Sequence, residues 1–153
     1  MSVKVHIDEL EGLVGQELGV SDWVRIDQKR INEFAAVTGD DQWIHTDPER
    51  AAEGRFGATV AHGLLTLSLL PMLSADVFQI TGARSRINYG YDRVRFPHPV
   101  LVGDRVRDRI RLNTVTAVPA GIRLTLTHAI EIEGRERPAC VATGLVQVEG
   151  RSA

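Results

Sequence analysis

The feature that most constrains this chain is the regular alternation of apolar and polar side chains across its second half. Ile122, Leu124, Leu126, Ile130 and Ile132 share one phase, while Arg123, Thr125, Thr127, Glu131 and Glu133 occupy the other. Successive side chains of a strand point to opposite faces, so this period makes one face core and leaves the other wet. Val106, Ile110 and Leu112 alternate in the same way with Arg105, Arg107, Arg109 and Arg111, and Cys140, Ala142, Val146 and Val148 mark a final strand beyond Gly134 and Pro138. Three long antiparallel strands are expected. In the segment before them, Ile87, Tyr89 and Tyr91 share a phase that Val94 and Phe96 do not, which predicts a bulge near Asp92 or Arg93.

The first half reads differently. Asp22 to Ile26 suits a short strand, and Asp27 is a good N-cap for a helix with Ile31, Phe34, Ala35 and Thr38 inward and Gly39 as its C-cap. Asp47 before Pro48 gives the N-cap and first position of a short helix through Glu49 to Ala52. Residues Asp40 to Thr46 are thus expected in a short loop between two helix ends. The stretch AHGLLTLSLLPML is apolar nearly all round, which for a helix means burial on most sides, and Pro71 predicts a kink or restart near Leu69. These parts make an α+β protein whose long curved antiparallel sheet wraps one central apolar helix. At 153 residues, with no linker or repeat, a single domain is expected over residues 1–153, its core running roughly from 22 to 149.

Composition narrows the function. A formal net charge of -2 gives no footprint for nucleic acid or an anionic membrane. The run from Gly63 to Leu73 is too short to span a bilayer, and the acidic, weakly apolar N-terminus does not read as a signal peptide. One cysteine, Cys140, leaves no disulfide framework and no cysteine zinc cluster, so the reducing cytoplasm is the expected compartment. Cations are almost all arginine, with Lys4 and Lys29 the two lysines; this suits a phosphate-bearing ligand, although the row from Arg105 to Arg111 reads most simply as a solvated strand face.

The stretch FAAVTGDDQWIHTDPERAA places Asp40 and His45 together, with a permissive Gly39 before the acid. An acid and an imidazole within reach of one water can deprotonate it for attack on a polarised double bond and return a proton to the neighbouring carbon. The developing oxyanion then needs N–H donors at a helix N-terminus, for which Gly63 is the candidate. Gln42 and Ser68 are candidate supporting residues, Ser68 with the alternative of bonding back to its own helix. Asp41 and Asp47 read as a solvated charge and a cap. His62 reads as a structural or capping neighbour, His128 as a hydrogen-bonded core residue, and His6 and His98 as terminus and turn. No metal-ligand spacing links these histidines, so no metal is expected.

Three matches, in order, carry a resemblance to the MaoC-like, R-specific enoyl-CoA hydratase (hydratase 2) family. The Gly39-Asp40 helix end followed by His45 resembles its catalytic motif. The His62-Gly63 start of the apolar helix and the turn FPHPVLVGDRV resemble its later landmarks, covering roughly residues 25 to 150. The family usually has Asn and Pro where this chain has Gln42 and Trp43. Gln42 offers the same amide donor on a longer arm, whereas Trp43 adds bulk that narrows the acyl pocket or packs against the core. The resemblance implies a hot-dog fold and reversible hydration of a trans-2-enoyl-CoA to an (R)-3-hydroxyacyl-CoA, with Asp40 and His45 catalytic. Coenzyme A is then part of the substrate, acyl carrier protein is an alternative carrier, and no separate cofactor is expected. A hot-dog acyl-CoA thioesterase and a subunit of a hetero-oligomeric 3-hydroxyacyl dehydratase are the competing readings. Long strands with open edges, in a chain too short to close a barrel, point to a homodimer.

Overall fold

The computed structural model describes residues 2–150. Strand β1 (Val3–His6) leads through a 3-10 helix (Ile7–Leu13) into β2 (Glu17–Val20) and β3 (Val24–Arg25); helices α1 (Gln28–Thr38), α2 (Trp43–Thr46), α3 (Pro48–Ala52), α4 (Gly63–Ser68) and α5 (Leu70–Val77) follow. The chain ends with β4 (Phe78–Thr81), β5 (Arg86–Arg95), β6 (Arg105–Val118), β7 (Gly121–Ile132) and β8 (Cys140–Glu149). Strands β2, β6, β7, β8 and β5 lie side by side in an antiparallel sheet, with β3 also pairing β6. Strands β1 and β4 form a separate parallel pair that the sequence pattern did not reveal. This is the expected hot-dog arrangement, a long antiparallel sheet around a central helical segment.

The alternation works as the physics requires. On β7, Leu124, Leu126, Ile130 and Ile132 are almost fully buried, and they meet Ile110 and Leu112 of β6 and Val146 and Val148 of β8 on the same face. Each such aliphatic side chain contributes roughly 1.5–3 kcal/mol on burial. The opposite face carries the arginine row, three of whose guanidinium groups are taken by acids: Arg105 pairs with Glu133, Arg107 with Glu131, and Arg109 with Glu17 and Glu131. That face is the expected wet one. Strand β5 slips register twice, between Asn88 and Gly90 and again between Tyr91 and Arg93, and the second slip is the predicted bulge.

Four expectations are corrected. The core begins well before residue 22, because Val5 and Leu10 are buried, Leu10 completely. Thr38 is exposed on α1, its hydroxyl bonding back to the Phe34 carbonyl, while Ile31 and Ala35 take the inner face and Phe34 is half-buried. The central segment does restart, with Leu69 separating α4 from α5 at the missing donor of Pro71. It is not buried all round, since Leu64 and Met72 are 60% and 45% exposed. Finally, Asp40 to Thr46 is not all loop, because α2 occupies its second half. Among the described residues no helix is long and apolar enough to cross a membrane.

Candidate active site

Asp40 is placed by the end of α1. Gly39 closes that helix in the left-handed region at φ 78° and donates its N–H to the Ala35 carbonyl at 2.9 Å, a conformation that favours glycine. The chain then turns sharply and leaves the Asp40 side chain exposed, with no hydrogen bond or ion pair to its carboxylate among the described residues. His45 is the third residue of the four-residue α2 and is 8% exposed. Its Nδ1–H donates to the Val60 carbonyl at 2.6 Å. That bond fixes the tautomer and leaves Nε2 with a free lone pair, the form a general base needs. Val60 is itself held by its N–H to the Ile44 carbonyl and by a bridge to Leu101. From the first turn of α1, Gln28 donates to the His45 carbonyl at 2.7 Å and accepts from the Thr59 hydroxyl, tying α1, α2 and the strand-like segment together.

The residue that sequence reasoning undervalued is His62. It stands at the N-cap of α4 but makes no capping bond. Instead its Nε2–H donates to the Asp40 carbonyl at 2.8 Å, and its ring stacks on His45 with centroids 3.8 Å apart and planes 21° apart. Phe34 packs against its side at 4.9 Å. His62 therefore bridges the backbone of the acid and the face of the base across a gap in sequence that no local motif spans. One nitrogen or oxygen from each of Asp40, His45 and His62 lies within 4.8 Å of the others. Such spacing admits a metal ion, but the two imidazoles are nearly parallel, and in-plane lone pairs of stacked rings do not converge on one ion. The arrangement suits proton transfer better.

Gly63 opens α4, where the first-turn N–H groups lack intrahelical acceptors. It also borders a cavity of about 350 Å³ whose walls include Arg55, Phe56, Thr66 and Phe96. A Cβ at Gly63 would lie 2.8 Å from the Phe96 ring, so glycine is required for that contact. Ser68 is not brought to the site: it is exposed and bonds back to the Leu64 carbonyl at 2.6 Å. Gln42 is also exposed, and it is its carbonyl that is used, accepting from the His45 N–H and the Thr46 hydroxyl. Asp47 caps α3 by accepting from the Arg50 N–H. His128 is a core residue as expected, its Nδ1–H donating to Asp108 at 2.7 Å beneath α5. Burial pushes the Asp108 carboxyl up, with the His128 hydrogen bond opposing, and pushes the Cys140 thiol up to about 11.

A curved sheet around a central helix, with an acid and an oriented imidazole at the end of that helix, defines a class of hot-dog hydratases and dehydratases. Residues 9–132 match the family model of the MaoC like domain, and the chain belongs to that family. It is 47% identical over 142 residues to the 3-hydroxyacyl-thioester dehydratase Z of Mycobacterium tuberculosis, covering 92% of this chain and 94% of that protein. It is 44% identical over 142 residues to nodulation protein N of Rhizobium meliloti, covering 91% and 88%. Among solved structures, the (R)-hydratase from A. caviae involved in PHA biosynthesis superposes with a TM-score of 0.72 at 28% identity, covering 88% of this chain and 95% of that one. The protein is a hydratase/dehydratase enzyme of the MaoC-like family.

Proposed function

We propose that the protein is an R-specific enoyl-CoA hydratase, adding water reversibly and with syn geometry to a trans-2-enoyl-CoA to give an (R)-3-hydroxyacyl-CoA. The observation that carries this is the oriented His45: its Nδ1–H is committed to Val60, and its ring brings a nitrogen within 4.8 Å of an Asp40 carboxylate oxygen. In the proposed reaction His45 Nε2 takes a proton from water as the oxygen attacks the β carbon. The enolate oxygen of the thioester is held by the Gly63 N–H. Asp40 orients the water, and the proton taken up by His45 is passed through the Asp40 carboxylate to the α carbon, so the pair ends with the protons it began with. Electrons are neither gained nor lost overall, so no cofactor beyond the coenzyme of the substrate is required. The dehydratase and (R)-hydratase names of the relatives support the reading in its two directions.

The short segment from the end of α1 into α2 carries both groups and presents them to one face of a flat enoyl thioester, which is why hydroxyl and proton are delivered to the same side. Hydration of crotonyl-CoA in deuterated water, followed by analysis of both stereocentres, is the test; an S alcohol or anti addition would overturn the assignment. Loss of enoyl absorbance with release of free thiol would mark a thioesterase instead. The working unit is proposed to be a cytoplasmic homodimer. Strand β5 ends the sheet, and Ile87 and Tyr89 on it are 47% and 57% exposed, near-apolar edge material of the kind that proteins pair or cover. Sedimentation showing only monomer at micromolar concentration would refute the dimer.

A further inference from the structure

The tryptophan that replaces the family's usual proline has a structural counterpart of its own. Trp43, half-buried at the first position of α2, lies so close over Gly54 that a Cβ there would come within 3.2 Å of the indole. Trp43 and Phe56 wall a pocket of about 190 Å³ completed by Ile44, Gly54 and Ala58, with Arg55 at its margin. Two guanidinium groups stand over these rings, Arg50 at 4.3 Å from the Trp43 centroid and Arg55 at 5.3 Å from that of Phe56. Neither is in an ion pair among the described residues, whereas Arg105, Arg107, Arg109 and Arg135 all are. Arg55 and Phe56 also line the cavity at Gly63, so the two spaces adjoin.

An apolar pocket walled by two aromatic rings, with Arg55 in its lining and Arg50 over the Trp43 indole, neither arginine in an ion pair among the described residues, has the chemistry that recognises a purine nucleotide. The ring system of the base stacks on aromatic faces whatever its sequence, and the planar guanidinium fork matches phosphate oxygens. We propose that the Trp43–Phe56 pocket receives the adenine ring of the coenzyme A thioester, with Arg50 and Arg55 turning from the aromatic rings to its phosphates. This deepens the proposed function and rests on it, because the acyl end must then reach Gly63 and the Asp40–His45 pair through the adjoining cavity. It also names the carrier. A protein-bound phosphopantetheine arm has no purine and would leave the slot empty.

The test separates the nucleotide from the rest of the substrate. Turnover of crotonyl-CoA is compared with that of crotonyl-N-acetylcysteamine, which lacks the nucleotide, in wild type and in Trp43→Leu and Arg55→Met. The ratio of kcat/KM for the two substrates should fall about tenfold in each variant, the order expected for removing one stacking or phosphate partner. An unchanged ratio overturns the proposal. Should Trp43→Leu fail to fold, Arg55→Met and Arg50→Met, at exposed positions, carry the comparison. A second measurement needs no turnover: Trp23→Phe leaves Trp43 as the single tryptophan, and its fluorescence is titrated with adenosine 3′,5′-bisphosphate. Saturable quenching that weakens in Arg55→Met supports the site, and absence of quenching overturns it. If neither thioester is hydrated, the proposed function falls and the titration alone decides the pocket.

Discussion

Replacing Asp40 by asparagine separates chemistry from architecture more cleanly than any other single change in this protein. The side chain is exposed, and its carboxylate has no hydrogen bond or ion pair among the described residues. What the fold uses is the main chain of Asp40, whose carbonyl accepts from His62 at 2.8 Å, and Asp40→Asn leaves that bond in place. The stacked His45–His62 pair and the bond from His45 to Val60 are likewise untouched. Surface changes of this kind alter stability by less than about 0.5 kcal/mol, which for a domain of this length moves the melting midpoint by under about 2 °C. A positioned acid or base, by contrast, contributes about 10²- to 10⁴-fold, or roughly 2.7–5.4 kcal/mol of the barrier. The assay follows the loss of enoyl absorbance of crotonyl-CoA, with a thermal melt on the same sample. Expected is a fall in kcat of that size at an unchanged midpoint. Near wild-type turnover would refute a catalytic Asp40, and a loss of activity that tracked a lowered midpoint would refute the separation of roles. His45→Gln should lose rate by a similar factor, with a somewhat larger cost in stability because His45 is buried and stacked.

Leu126→Ala, at a position with no exposure on the central strand, should cost about 2–5 kcal/mol in chemical denaturation, and a smaller cost would mean that the core collapses into the vacated space. Cys140 is fully buried with its thiol pushed up to about 11, so thiol reagents at neutral pH should label it in denaturant and not in the folded protein; rapid native labelling would contradict that burial. The Asp108 carboxyl is raised chiefly by burial, so the folded chain holds this proton more tightly than the unfolded one. Its contribution is therefore fully present below the usual carboxylate range and is lost as pH rises through the raised value. Urea melts of wild type and Asp108→Asn at pH 4 and pH 7.5 should show the variant gaining on wild type at the higher pH, and a difference that stays constant would refute the buried charge.

The backbone of this protein was legible in the sequence wherever a pattern is local. Alternation fixed which face of β6, β7 and β8 is core, because a strand's side chains must point in opposite directions. Asp27, Gly39, Asp47 and Pro71 marked helix ends and the restart at Leu69, because caps and a missing donor act on neighbours a few residues away. The phase slip in β5 announced its bulge for the same reason. The pairing of Asp40 with His45 was visible because His45 follows the acid by five positions, the spacing of the family motif.

What the sequence could not determine lies between segments far apart in the chain. Nothing local says that His62 reaches back across 22 positions to the Asp40 carbonyl, that Gln28 spans to His45 and Thr59, or that β1 pairs in parallel with β4. Nor does spacing tell a serine that serves a site from one that bonds to its own helix, as Ser68 does, or separate the arginines bound to glutamates from the two that stack over Trp43 and Phe56. Period and caps are enforced by the covalent chain, whereas partners are chosen by packing. Only the folded sheet, by bringing α1, α2 and the start of α4 to one place, decided which polar groups share the candidate site.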